Sequence, residues 1–258
     1  MRSLELLGKA KDSLSEHGLM ATLKRAVDVL SPFSAYNKML RLSTAEKRFE
    51  RIYQSNLWNC DESASGTGSS LVNTAYLRKK LPVIFGNYQI QSILDAPCGD
   101  FNWMSHLLEA NPVITSYIGA DIVAPLINDN INKYGSQRIN FRCLDITKDV
   151  LPISDLMIVR DCLFHLSYQD IYLYLENFCR TDIKYLLTTS HILDEDFKNT
   201  DIVSGDFRLI DIFRAPFNFP SDTLERIEDY VPPGAPREMC LFSRSQIEVV
   251  AAQLKESL

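Results

Sequence analysis

The sequence predicts an α/β fold: a mixed seven-stranded sheet with helices on both faces and an antiparallel hairpin at one edge, preceded by a helical extension. Three observations lead there. Between residues 90 and 190, short apolar runs alternate with stretches of helical periodicity, and alternation at that pace builds a parallel sheet covered on both sides. The last two strand-like runs, 207–212 and 239–243, are separated by a proline- and aromatic-rich stretch with no crossover helix, so they pair antiparallel at the edge. Residues 1–60, by contrast, show helical spacing and no strand alternation.

Taken in order, Leu4, Leu7, Leu14, Leu19, Leu23, Val27 and Leu30 recur at roughly helical spacing and stop at Ser31-Pro32. A second helical stretch covers 35–53. Residues 61–70 are small and polar, a loop by composition. A helix over 71–81 follows, with Leu71, Ala75, Leu77 and Leu81 on its apolar side and Pro82 near its end. The expected strands are 90–95, 114–121, 140–144, 155–160 and 184–190. Between them lie a helix bearing Trp103, Met104, Leu107 and Leu108 on one face, and helices over 124–133 and 169–179. Residues 1–60 therefore form the extension and residues 61–258 the main domain. The extension could pack on the body, cap a site or join a second subunit in a homo-oligomer, and the sequence leaves these open.

Composition narrows the function. The 258 residues are 46% hydrophobic and 23% charged, ordinary for a folded domain. No signal peptide or transmembrane segment is evident, which points to a cytoplasmic protein. The six cysteines form no C-x-x-C pair and no zinc-ligand spacing. Net charge is −6, split as +4 over residues 1–60 and −10 over the rest. An acidic body argues against a nucleic-acid partner, which needs a basic face.

The first strand of the alternating region ends in Asp95-Ala96-Pro97-Cys98-Gly99-Asp100-Phe101. In an open α/β sheet this turn faces the ligand crevice. Gly99 lets a ligand approach the backbone, and Asp121, ending the second strand, stands where an acid accepts hydrogen bonds from ribose hydroxyls. The G-x-G-x-x-G cradle for a pyrophosphate is missing: Pro97 and Phe101 replace glycines and Asp100 adds a negative charge. Such a turn suits a sulfonium ligand better than a dinucleotide.

The order of the Asp95–Gly99 turn, Asp121, Leu144-Asp145-Ile146 and Asp155 to Asp161 resembles class I S-adenosylmethionine-dependent methyltransferases, whose Rossmann-like seven-stranded sheet ends in an antiparallel strand. More narrowly, Asp-Ala-Pro-Cys-Gly-Asp-Phe-Asn-Trp-Met at 95–104, Arg-Asp-Cys-Leu-Phe-His-Leu-Ser at 160–167 and Pro-Phe-Asn-Phe-Pro at 216–220 are similar to a bacterial group associated with surface-glycan or small-molecule modification. The resemblance covers about residues 46–245. It implies S-adenosyl-L-methionine as cofactor, with the Gly99 turn at the methionine moiety, Asp121 at the ribose and Asp145 with Ile146 at the adenine. Asp95, Pro97, Cys98, Asp100, Ile122 and Arg160 complete the expected cofactor set.

In this fold the end of the fourth strand faces the transferable methyl group, which makes Asp161 and His165 the candidate acid–base residues. An imidazole takes a proton near neutral pH without extreme tuning. Trp58, His191 and Phe217 are the expected substrate-binding residues. The expected reaction is O-methylation of a sugar, glycan or other small hydroxylated acceptor. A divalent cation held by Asp161, His191 and Asp194 is a weaker alternative, and no metal is expected. Competing readings are a nucleic-acid or protein methyltransferase and a catalytically silent cofactor-binding module.

Overall fold

The computed structural model describes residues 35–257, and the leucine-rich helix read over 4–30 lies outside them. The chain enters through α1 (Ala35–Leu40) and α2 (Ala45–Gln54). The sequence suggests one helix here; the chain instead breaks at residues 41–44, and Thr44 caps α2 by accepting from the Lys47 amide. The 61–70 loop includes a single tight turn at Thr67–Ser69. Helix α3 (Ala75–Asn87) starts and ends later than its expected bounds. Pro82 removes one hydrogen bond inside it, a cost of about 3 kcal/mol. Burial of Leu81, Ile84 and Phe85 around that proline, at about 1.5–3 kcal/mol each, more than offsets it.

Then the alternation begins: β1 (Ser92–Asp95), α4 (Asn102–Glu109), β2 (Ser116–Asp121), α5 (Ala124–Tyr134), β3 (Ile139–Cys143), β4 (Leu156–Val159), α6 (Tyr168–Cys179) and β5 (Tyr185–His191). The edge follows with β6 (Glu225–Glu228), β7 (Arg237–Ser243) and a closing helix α7 (Arg244–Ser257). Strand order is β3-β2-β1-β4-β5-β7-β6. The first five strands run parallel, while β7 is antiparallel to both β5 and β6. The order reverses between β1 and β4, so a crevice opens beyond their carboxyl ends. Trp103, Met104, Leu107 and Leu108 are all buried on one face of the sheet, as their spacing demands.

The edge hairpin forms with a different partner from the one expected. Residues 207–212 are not a strand. Their apolar side chains, Leu209, Ile210 and Ile212, are buried in the core, but the backbone crosses the end of the sheet rather than joining it. The His191 amide donates to the Ile210 carbonyl at 2.9 Å and the Arg208 amide to Phe164 at 3.1 Å. The true edge strand, Glu-Arg-Ile-Glu, buries only Ile227, so hydrophobic alternation gives no sign of it; charged edge strands also resist adding further chains. Helix α7 is additional to the elements read from the sequence. Ile247, Val250, Ala251 and Leu254 form its buried stripe, and it packs against α6. Ile247→Ala should lower the unfolding free energy by about 2–4 kcal/mol, the usual cost of such a truncation, measured by urea denaturation; a change under 0.5 kcal/mol would mean α7 is not docked as described.

Candidate active site

A cleft partly open to solvent lies where the strand order reverses. Its floor is the β1–α4 turn. Gly99 sits there at φ +54°, and a Cβ at that position would meet the Ser65 hydroxyl at 2.0 Å, so only glycine fits. Phe101, also left-handed at φ +61°, holds that conformation because its buried ring packs on Tyr117, Tyr134 and Phe141 at centroid distances of 5.0–5.1 Å. The Asp100 carboxylate turns onto the 63–65 segment, accepting from the Ser63 hydroxyl at 2.9 Å and the Ala64 amide at 2.8 Å. That pairing straps the segment beside the turn, and Ala64 and Ser65 line the cleft.

One wall is the end of β2. Asp121 accepts from the Val123 amide at 3.0 Å and the Gly99 amide at 3.3 Å. Burial nevertheless pushes its carboxyl up to about 6. Beyond it, Asp145 and Ile146 line the cleft. Asp145 accepts from Thr147 and pairs with Lys148 at 3.0 Å; although burial opposes ionisation, these contacts hold its carboxyl below the usual range.

The opposite wall follows β4. Asp161 is left-handed at φ +51°, a strained choice for a residue with a side chain. Its amide donates to Thr189 at 2.9 Å, and its carboxylate faces Arg160 at 3.2 Å and Arg237 at 3.3 Å. Burial alone would raise its pKa, but the two guanidiniums win and keep it low. His165 stands next along, with Nδ1 2.8 Å from the Asp206 carbonyl oxygen. A carbonyl only accepts, so Nδ1 carries the proton and Nε2 the lone pair.

The chain is similar in structure to several methyltransferases. Mitomycin 7-O-methyltransferase aligns with a TM-score of 0.56 at 13% identity, over 93% of this chain and 67% of that one. Human N-acetylserotonin methyltransferase, in complex with S-adenosylmethionine, aligns at 0.53 and 15% identity, over 94% and 67%. The Burkholderia thailandensis 1,6-didemethyltoxoflavin-N1-methyltransferase, with its didemethyltoxoflavin and S-adenosylhomocysteine bound, aligns at 0.53 and 16%, over 81% and 88%. No family model and no curated protein matches the sequence. The fold is that of S-adenosylmethionine-dependent methyltransferases.

Within this methyltransferase fold, nine of the residues singled out from the sequence line one cleft: Trp58, Pro97, Gly99, Asp121, Ile122, Asp145, Ile146, Asp161 and His165. Others stand behind it. Asp95 is buried, accepts from the Tyr117 hydroxyl at 2.7 Å and is pushed by burial up to about 7. Cys98 is buried beneath the turn. Arg160 lies under Asp161, and Asp100 holds the strap rather than lining the cleft. His191 is buried, its pKa driven down to about 4 by burial and then by Arg237. Phe217 lies wholly in the core against Tyr168. Asp194 is exposed on a turn, and among the described residues no group of His, Cys, Asp and Glu is gathered closely enough to hold a metal ion.

The structure also adds lining residues that the sequence did not mark. Ala45, Phe49 and Tyr53, spaced i, i+4, i+8 on α2, roof the cleft; this stripe is legible as a helix face but not as part of a site. The roof is tied down at both ends. Tyr53 donates to Asp129 on α5 at 2.9 Å, while Arg48 donates to the Ser204 carbonyl and Tyr36 to Asp206. Asp170, in the first turn of α6, also lines the cleft and accepts from the Ser204 hydroxyl.

The raised pKa of Asp121 has a stability consequence. The folded state binds more protons than the unfolded one between about pH 4 and pH 6, so this group's contribution falls as pH rises through that window. Ionised Asp121 therefore costs on the order of 3 kcal/mol above pH 6. Asp121→Asn should lack that slope: relative to the native protein it should gain stability on going from pH 4 to pH 8, read as the difference in urea midpoints at the two values. Parallel pH profiles would show that Asp121 ionises normally.

Proposed function

We propose that this protein transfers a methyl group from S-adenosyl-L-methionine to a hydroxyl of a small acceptor, a class that includes sugars and glycans, with His165 as general base. The observation that carries the reading is the cleft itself: at the switch point of a methyltransferase fold, Gly99, Asp121 and His165 line one cleft. The donor fits the groups present. Its ammonium charge meets Asp161 in a cleft that Asp121 and Asp145 also make acidic, and among the described lining residues there is no lysine or arginine to hold a pyrophosphate.

When bound, the donor supplies an already activated methyl group. The Gly99 backbone accommodates its methionine portion, Asp121 accepts from the ribose hydroxyls, and Asp145 with Ile146 borders the adenine. Asp161, kept ionised by Arg160 and Arg237, is suited to an ammonium group rather than to taking up a proton. His165 is suited to proton transfer, because the Asp206 carbonyl fixes its tautomer and leaves the lone pair on Nε2. Helix α2 acts as a cap: it covers the cleft and excludes water. A cleft with no lysine or arginine among its described lining residues does not favour a nucleic-acid substrate.

Calorimetric titration with S-adenosylhomocysteine tests the donor half. The native chain should bind it, and Gly99→Ala should weaken binding at least ten-fold, because the added methyl displaces Ser65; no binding by the native chain would overturn the reading. The acceptor half is tested by His165→Gln, which should lower turnover by roughly 10²–10⁴ while S-adenosylhomocysteine affinity stays within about three-fold. Undiminished turnover would remove His165 as the base.

A further inference from the structure

Helix α2 is attached to the body in a way that suits movement as well as cover. We infer that α2 is a hinged lid over the donor cleft, that Arg48 is the positioning residue holding it shut, and that the donor enters and leaves when Arg48 releases. The inference rests on the donor-binding reading above and adds to it how the site opens.

Three features carry it. First, α2 is lightly packed. Of its ten residues only Ile52 is buried, while Ala45, Phe49 and Tyr53 line the cleft and are half-buried. A helix in a protein draws most of its stability from an apolar face packed on the body, and here that face is turned to the cleft. A nucleoside donor beneath Phe49 and Tyr53 would complete its burial, so occupancy favours the closed position.

Second, both ends of α2 are exposed turns. Residues 41–44 break the helix on one side, with Arg41, Ser43 and Thr44 exposed. On the other, Asn56 and Asn59 are exposed and left-handed, at φ +43° and +50°, a conformation asparagine adopts more readily than most residues. A short helix between two such turns can swing as a unit, because hinge motion is absorbed by a few residues at element ends.

Third, one side chain closes it. The Arg48 guanidinium donates to the Leu42 carbonyl in the 41–44 turn at 2.6 Å and to the Ser204 carbonyl of the body. It thereby joins hinge, lid and body. The receiving surface is firmly held: Ser204 is buried, and its hydroxyl accepts from the Ser167 amide at 2.8 Å and donates to Asp170. Beside it Gly205 stands at φ +102°, and a Cβ there would come within 3.0 Å of the Arg48 Cβ, so glycine permits the close approach. At the far end Tyr53 donates to the exposed Asp129 at 2.9 Å. Neither Arg48 nor Asp129 lines the cleft, so both act on the donor through α2.

The test uses the full chain, with S-adenosylhomocysteine binding followed by stopped-flow tryptophan fluorescence and the lid by amide hydrogen exchange. In the native chain the ligand should slow exchange across residues 45–54. Arg48→Ala should raise both the association and the dissociation rate constant about ten-fold, the factor equivalent to one hydrogen bond from a charged donor. Without ligand, exchange across 45–54 should quicken in this variant while β4 and β5 keep their native protection. Asp129→Ala, at an exposed position, should raise both rate constants about three-fold, and it decides the matter alone if Arg48→Ala does not fold. Faster association is the discriminating readout, because losing a residue that only supports the fold would slow binding or leave it unchanged. If the native chain binds the ligand but association is no faster in either variant, α2 is a fixed roof and the inference falls while the donor assignment stands. If the native chain binds no S-adenosylhomocysteine, the methyl-transfer reading has failed and the lid falls with it.

Discussion

Two guanidiniums and two carboxylates meet in the interior at the carboxyl end of the sheet, and the cleft wall depends on how they pair. Arg160 donates to both oxygens of Asp229, at 2.8 and 3.1 Å, and lies 3.2 Å from Asp161. Arg237 closes the group against Asp161. All four residues are largely withdrawn from water, where an unpaired charge would cost several kcal/mol. The group is neutral as a whole, and no member can be removed without stranding another. Because Asp161 follows β4, Arg237 opens β7 and Asp229 lies just past β6, the pairing also fixes where the edge hairpin sits relative to the central strands.

The same group reaches the loop that borders the Gly99 turn. Arg160 donates to the Gly68 carbonyl at 2.9 Å, and a side chain on Gly68 would meet the Asp161 carboxylate at 2.8 Å. The strap is therefore held at two points, by Asp100 at residues 63–65 and by Arg160 at Gly68. Its position shapes the floor of the cleft, while α2 shapes the roof. Charge that might have served an anionic substrate is spent on architecture, which leaves an acidic, partly aromatic cleft.

Strain is placed at the border of the cleft. Asp161 and Phe101 both adopt left-handed backbone conformations that cost of order 1–3 kcal/mol each in a residue with a side chain. Phe101 is held by its aromatic cluster and Asp161 by two arginines and Thr189. Each is thus over-determined by contacts made elsewhere, and each terminates an element at the point where the chain must turn into the cleft.

The sequence by itself determined the alternation of strands and helices, the buried face of α4 and the tight turn around Gly99, because each is written in residues a few positions apart: periodic burial, or a turn that tolerates only certain side chains. Period alone misjudged residues 207–212, whose apolar residues are buried without a strand ladder, and it passed over the polar strand Glu225–Glu228. Tertiary structure alone decided the rest. Asp100 looked like a charge offered to the ligand and instead holds Ser63 and Ala64; Arg160, Asp161, Asp229 and Arg237 stand up to 77 residues apart in sequence and carry no shared period. The roof of Ala45, Phe49 and Tyr53 reads locally as one side of an amphipathic helix. Only the packing of α2 across the sheet turns that side toward the cleft, since contacts between distant segments are set by the global pairing of surfaces and leave no local pattern.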